Sequence, residues 1–343
     1  MKALMLTAHD RLEIVDVAEP ELGAHDVLVR IRACGICGSD VHGLDGSSGR
    51  RIPPLIMGHE AAGDIARVGD AVTAWRPGDR VTFDSTISCN ACAPCRAGLV
   101  NLCDRRRVIG VAIPEYRAHG AFAEFIAVPE HILYRLPDTV SYVEGATVEP
   151  LSVAAHAALL TATGPDARAV VVGTGVIGLL LVQVLRAHGC RTIVAVDLDE
   201  GRLALAERFG ATATLRADAR DVVGAIRAAT GGDGADVAFE AVGIASTVTL
   251  ATTAVRKGGA VVLVGNVTPT VDLPLQAVVT RQLSLFGSAA SAGEYPECID
   301  MIAARRVDVA GMVSAVAPLE EGAAWFERLR AGREGLLKVV LEP

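Results

Sequence analysis

Two rhythms of apolar and polar residues divide this chain. Up to about residue 150 the apolar positions come in short runs cut by Gly and Pro. MKALMLTAHDRLEIVD at the start alternates and reads as a pair of strands; VLVRIRA (27–33), AAGDIARVG (61–69) and RVTFDS (80–85) read as further short strands. This pattern predicts a small β-rich or barrel-like domain. From about residue 151 apolar strands alternate with amphipathic helices. ARAVVVG (167–173), RTIVAVD (191–197), ADVAFEAVG (235–243) and GGAVVLVG (258–265) are expected as buried strands. VIGLLLVQVLRAHG (176–189) and DEGRLALAERFG (199–210) are expected as helices closed by Gly189 and Gly210. Strand and helix alternating at this spacing predict an α/β fold with a doubly wound parallel sheet. The rhythm is lost from about 290, and LLKVVLEP (336–343) is a strand expected to return to the first domain. The expected division is therefore residues 1–150 with 290–343, and residues 151–289.

Composition narrows the function classes. A length of 343 residues suits two domains, at roughly 150 residues each. The net charge of −8 argues against a nucleic-acid partner, which calls for clustered positive charge. Arg105-Arg106-Arg107 is the one basic cluster and reads as a solvated loop. The long uncharged stretch Ala169 to Leu185 is broken by three glycines and falls short of the about twenty apolar residues of a membrane helix. The N-terminus carries charge early, unlike a secretion signal. With its thiols outside any disulfide framework, the protein is expected in the cytoplasm.

Four cysteines are packed closely in Cys89-x2-Cys92-x2-Cys95-x7-Cys103. Small or turn-forming residues separate them, so all four sulfurs can wrap one ion. Four thiolates close a zinc shell and leave no place for water, so this zinc is expected to be structural. Gly173-Thr-Gly175-Val176-Ile177-Gly178 follows one predicted strand and opens a helix, the context of a dinucleotide site. Gly173 allows the tight turn, Gly175 lets backbone approach a pyrophosphate, and Gly178 lets helix pack on sheet. The helix N-terminus presents its free N–H groups to the phosphates. Asp197 ends the second strand, where an acidic residue accepts from the adenosine ribose and repels a 2′-phosphate. With Asp199 adding charge, NAD is expected over NADP. Arg202 is the cautionary cation, read as a helix-surface charge that could also reach the cofactor.

Three further segments carry ligand-type residues. Cys37 sits in CGICGSDVH (34–42), His59 and Glu60 in MGHE (57–60), and Glu149 in TVEPL (147–151). One Cys, one His and one carboxylate make an open zinc site with a position free for substrate. GICGSDVH (35–42), MGHEAAG (57–63), the cysteine lobe, VEPLSVAAHA (148–157) and GTGVIG (173–178) occur here in order. Together they resemble the zinc-dependent medium-chain dehydrogenase/reductase family, in its polyol (sorbitol-type) and secondary-alcohol branches.

That resemblance implies a GroES-like catalytic domain containing the structural lobe, a Rossmann domain inserted into it, and a catalytic zinc in the cleft between. It implies two zincs per chain and NAD. Cys37 and His59 become zinc ligands, with Glu60 or Glu149 supplying the carboxylate. Val242 and Gly265 join the residues expected along the cofactor. Ser39 and His42 are expected as a proton relay from an alcohol to solvent while hydride passes to the nicotinamide. Cys34 is a bystander thiol, and Cys190 and Cys298 are packed small residues. His9, His25, His119, His131, His156 and His188 read as surface or core histidines.

Sorbitol-type relatives carry a tyrosine just after the relay histidine and an arginine near the last Rossmann strand. Here Gly43 and LFGSAA (285–290) stand in those places, so sorbitol is not the expected substrate. A diol, cyclitol or amino-polyol suits the acidic pocket better, with a threonine- or butanediol-type dehydrogenase as the alternative. Arg50 and Arg51 read as a solvated loop. The other classes are an NAD-retaining epimerase or lyase and a non-catalytic binding protein. No membrane partner is expected, and a homodimer or homotetramer is, with QLSLFG (282–287) as a candidate edge strand.

Overall fold

A computed structural model of the chain describes residues 1–332 and 335–343. They form two compact units. The first comprises Met1–Glu149, Tyr295–Ala303 and Val309–Pro343; the second comprises Pro150–Glu294 and Ala304–Asp308. The return to the first unit thus comes at Tyr295 rather than 290, and Ala304–Asp308 clusters with the second. The reason for the position is packing. Tyr295 opens the helix Tyr295–Ala303, which buries Cys298, Ile299, Met301 and Ile302, and its ring stacks on Tyr134 with centroids 4.7 Å apart.

The first unit is built on a seven-stranded sheet. Its long strand Asp26–Gly35 pairs antiparallel with Glu60–Val68 on one side and with the C-terminal strand Lys338–Glu342 on the other. The expected return of the C-terminus is therefore seen, as are the opening strands Lys2–Ala8 and Arg11–Asp16. Register matters for the site. Gly35 faces Glu60 across one ladder and Val340 across the other. The ends of three strands thus bring Gly35, Glu60 and Lys338 together. Phe83, Phe122 and Phe326 are fully buried in the core of this unit, each contributing roughly 1.5–3 kcal/mol. Phe122 and Phe326 meet edge to face at 5.7 Å.

The second unit holds a six-stranded parallel sheet. In spatial order its strands are Ala213–Arg216, Thr192–Asp197, Arg168–Val172, Ala235–Glu240, Val255–Leu263 and Ser284–Gly287. Numbered along the chain this is the order 3-2-1-4-5-6 of dinucleotide-binding sheets. Val170, Val172, Val194 and Val196 are buried, as the continuous apolar runs of a sheet covered on both faces require. Helices Val176–Ala187 and Glu200–Arg208 stand where the sequence placed them, each followed by a glycine at positive φ, Gly189 and Gly210. No helix among the described residues is long and apolar enough to cross a membrane.

Candidate metal centres and nucleotide site

Cys37 is the N-cap of a one-turn helix, Gly38–His42. His59 immediately precedes the strand Glu60–Val68. Ligand atoms of Cys37, His59 and Glu60 all lie within 4.8 Å of one another. Gly35 is what lets Glu60 point there, since a Cβ on Gly35 would sit 2.4 Å from Glu60 Oε2. Glu149 lies in the first turn of the helix Val148–Leu159, and Ser85 Oγ donates to its Oε1 at 3.0 Å. It falls outside the cluster of three. Burial, with the charge of Glu60, raises its pKa above the usual carboxylate value, against the pull of His59.

Three charged residues complete the site that sequence reasoning missed. Asp40, fully buried, has Oδ1 3.5 Å from His59 Nδ1. Arg51 Nη2 donates to the same Asp40 oxygen at 2.8 Å. The solvated-loop reading of Arg51 is thus corrected, because the side chain is buried in an ion pair; Arg50 alone is exposed. Lys338 Nζ donates to Glu60 Oε2 at 2.5 Å and to Ile36 O at 3.1 Å, with both ionic groups buried. A signal for Lys338 was present, a single cation beside the apolar run Val339–Leu341 of the C-terminal strand. Asp40 lay unread between two residues already singled out.

Burial opposes charge on His59, but Asp40 and Cys37 outweigh it and hold the imidazole well above its ordinary pKa of 6.5. Asp40 is likewise desolvated, yet His59 and Arg51 keep its carboxyl well below the usual range. Cys37, His59 and Glu60 thus bring a sulfur, a nitrogen and a carboxylate oxygen to one place, with Asp40 beside His59 paired to Arg51 and with Lys338 paired to Glu60. Such a sulfur–nitrogen–oxygen donor set suits zinc.

Ser39 Oγ donates to Cys37 Sγ at 3.3 Å and is solvent-exposed. His42 ends the same helical turn and is also exposed. Positions 39 and 42 are three apart and share one face, while Asp40 turns inward.

In the cysteine lobe the four sulfurs again lie within 4.8 Å of one another, and all are free thiols. Sulfur–sulfur separations are 3.4 Å for Cys92–Cys95, 3.9 Å for Cys92–Cys103 and 4.0 Å for Cys89–Cys95. Zinc–sulfur bonds of about 2.3 Å in a tetrahedron put sulfurs about 3.8 Å apart, so the lobe fits the ion. The backbone N–H of Ala91 helps lower the Cys89 thiol to about 5, whereas burial and Cys92 push Cys95 up to about 12. A bound dication stabilises all four as thiolates. Of the basic cluster, Arg105 and Arg107 are exposed, and Arg106 donates to Asn101 O at 2.6 Å. The fit leads to an expected result: metal analysis of purified protein should give about two zinc equivalents. Cys37→Ser should remove one and Cys92→Ser the other. A single equivalent unaffected by Cys37→Ser would leave only the lobe as a zinc site.

In the second unit Gly173 takes φ +91, a left-handed conformation that favours glycine. A Cβ on Gly178 would lie 1.8 Å from Gly173 O, whereas one on Gly175 would meet nothing within 4 Å. The turn is closed on its inner side and open where a phosphate would approach. Gly175 caps the helix Val176–Ala187 with no side-chain bond, so Val176, Ile177 and Gly178 present first-turn N–H groups to an anion. Asp197 accepts from Thr174 N and Oγ1 through Oδ2, at 2.6 and 2.9 Å, and from Leu198 N and Asp199 N through Oδ1. It therefore braces the glycine turn. Arg202 N bonds the capping Asp199, and its Nε is buried with no hydrogen-bond partner. Val242 and Gly265 are in direct contact; a Cβ on Gly265 would come within 2.4 Å of Val242 backbone atoms. Glu240 Oε1 fixes this turn by accepting from Val242 N and Gly243 N.

Residues 23–138 match the alcohol dehydrogenase GroES-like domain, and residues 176–304 match the zinc-binding dehydrogenase domain. The chain is 37% identical over 340 residues to D-xylulose reductase A of Aspergillus niger, covering 96% of this chain and 94% of the relative. A putative zinc-binding dehydrogenase from Sinorhizobium meliloti 1021, solved bound to NADP, superimposes with a TM-score of 0.91 at 34% identity, over 100% of this chain and 99% of that one. The 2R,3R-butanediol dehydrogenase from Bacillus subtilis gives 0.89 at 27% identity, again over 100% and 99%. A GroES-like domain joined to a Rossmann sheet, expected from the motifs, is the fold observed.

Proposed function

The chain belongs to the zinc-dependent medium-chain dehydrogenase/reductase family, in its polyol-type branch, and on that premise we propose that it oxidises a secondary hydroxyl of a polyol or diol to a ketone with NAD. The observation that carries this reading is the Cys37–His59–Glu60 cluster, whose sulfur, nitrogen and carboxylate oxygen lie within 4.8 Å of one another. Zinc held there supplies Lewis acidity toward a hydroxyl, and the nicotinamide supplies hydride acceptance. Cys37, His59 and Glu60 hold the ion, with Glu149 behind them on Ser85. Ser39 accepts the hydroxyl proton while passing its own onward, and His42 accepts that proton and releases it to solvent. A relative named for reducing a ketose and another named for a butanediol support a substrate with neighbouring oxygens. A polar site with carboxylates close to the metal suits such a molecule.

The test is a screen for NADH formation over diols, polyols, cyclitols, amino-polyols and threonine. Steady NADH formation with one of these supports the reading. Turnover with no net NADH would move the protein to the epimerase or lyase class.

Asp197 decides the choice of cofactor. Like charges brought together cost several kcal/mol, so kcat/KM should favour NAD over NADP by at least about a hundredfold. Asp197→Asn keeps an oxygen for Thr174, removes the charge, and should erode the preference. Equal use of both cofactors by the wild type would sink the assignment. The partner proposed for the protein is a second copy. Ser284–Gly287 is the sheet edge, and Leu275 and Val279 of the nearby helix Leu275–Thr280 are exposed. Light scattering should give at least twice the mass of one chain.

A further inference from the structure

Arg51 is a charged residue buried almost completely, at 4% exposure. Its Nη2 donates to Asp40 Oδ1 at 2.8 Å and lies 3.4 Å from Ser39 Oγ. Its Nη1 donates to Arg50 O at 3.2 Å. One guanidinium thus ties together the turn that carries Cys37 and Ser39 and the chain that leads to His59. The room for it is made by Gly43. That residue has φ −86 and ψ −7, which any L-residue adopts, so glycine is not needed there for its backbone. It is needed for space, because a Cβ at position 43 would stand 2.5 Å from Arg51 Cγ.

Asp40 cannot hold its place alone. A fully buried carboxylate without a cation would carry a large desolvation cost. Its Oδ1 is the atom that both Arg51 and His59 Nδ1 approach. A carboxylate beside a ligating histidine orients the ring, and the carboxylate in turn needs its own anchor. A planar fork can serve several acceptors at fixed angles, which an ammonium cannot.

We propose that Arg51 is a positioning residue for the metal centre: it pins Asp40 against Nδ1 of His59, so that the other imidazole nitrogen stays aimed at the metal beside Cys37 and Glu60, and Gly43 is the residue that admits it. This rests on the zinc reading of the site given above.

The test is zinc release from the full zinc-loaded chain into a chromogenic chelator. The phase belonging to the Cys37 site is identified by its absence in Cys37→Ser. In Arg51→Met that phase should accelerate about 10–100-fold, while release from the cysteine lobe stays unchanged. Arg51→Lys, which restores the charge without the fork, should recover part of the retention. Gly43→Ala should accelerate the same phase in the wild type and have no further effect in Arg51→Ala. Unchanged release in folded Arg51→Met overturns the proposal, and so does equal acceleration of both phases, which would mean general loosening. Should Arg51→Met fail to fold, unchanged release in both Arg51→Lys and Gly43→Ala overturns it. A wild type that reduces no NAD, with faster release in Arg51→Met, would remove the dehydrogenase reading and leave this one. An active wild type with unaltered release in Arg51→Met would do the reverse.

Discussion

Ser39→Ala is expected to lower kcat for alcohol oxidation by about 10²–10⁴-fold, the range of general acid–base assistance, with zinc content and NAD binding retained. Ser39 Oγ is 3.3 Å from Cys37 Sγ, so a hydroxyl acting at the metal would have this oxygen as a near neighbour. Its exposure leaves it open to substrate. The one-turn helix Gly38–His42 places His42 on the same face, also exposed, as the next group toward solvent. His42→Ala should therefore be milder. Its rate should fall most below neutral pH, where little hydroxide can replace the lost base, and added imidazole should restore part of it. The steady-state pH–rate profile checks this. If His42→Ala leaves the profile unchanged, the proton leaves by another route.

Lys338→Met should destabilise the first unit by about 3–5 kcal/mol, the cost of leaving one member of a buried ion pair alone. Lys338 and Glu60 are 2.5 Å apart, with side chains 3% and 1% exposed. Burial works against the ammonium, but Glu60 outweighs it and lifts the Lys338 pKa above 10.5. A group whose folded pKa is raised stabilises below its unfolded value and loses that contribution as pH rises through the folded one. The pair should thus hold up to about pH 10.5 and weaken only in stronger alkali. Both tryptophans, Trp75 and Trp325, lie in the first unit, so their fluorescence during urea unfolding follows that unit. Lys338→Met/Glu60→Gln should recover most of the loss, because no lone charge is left. Unfolding of Lys338→Met within about 1 kcal/mol of the wild type would show that the pair contributes no more than a surface one.

The elements that were legible along the chain are those whose signal is local. Alternation in residues 1–16 gave the strand pair, and apolar runs between helical stretches gave the parallel sheet. Both periods are written into consecutive side chains. The cysteine lobe and the glycine turn were legible for the same reason, since each closes around a ligand within a few residues. Cys37, His59 and Glu60 were singled out from separate segments, and their meeting depended on resemblance, not on spacing. What only the tertiary structure decided is the layer behind them. Glu60 is paired by a lysine that arrives from the C-terminus, because Lys338–Glu342 adds to the same strand that faces Glu60. Asp40 and Arg51 form one buried pair because Gly43 leaves space between turn and loop. Neither is periodic, and each depends on desolvation, which belongs to the folded chain: a charge that looks solvated in a loop becomes a fixed part of the site once the surrounding fold takes it out of water.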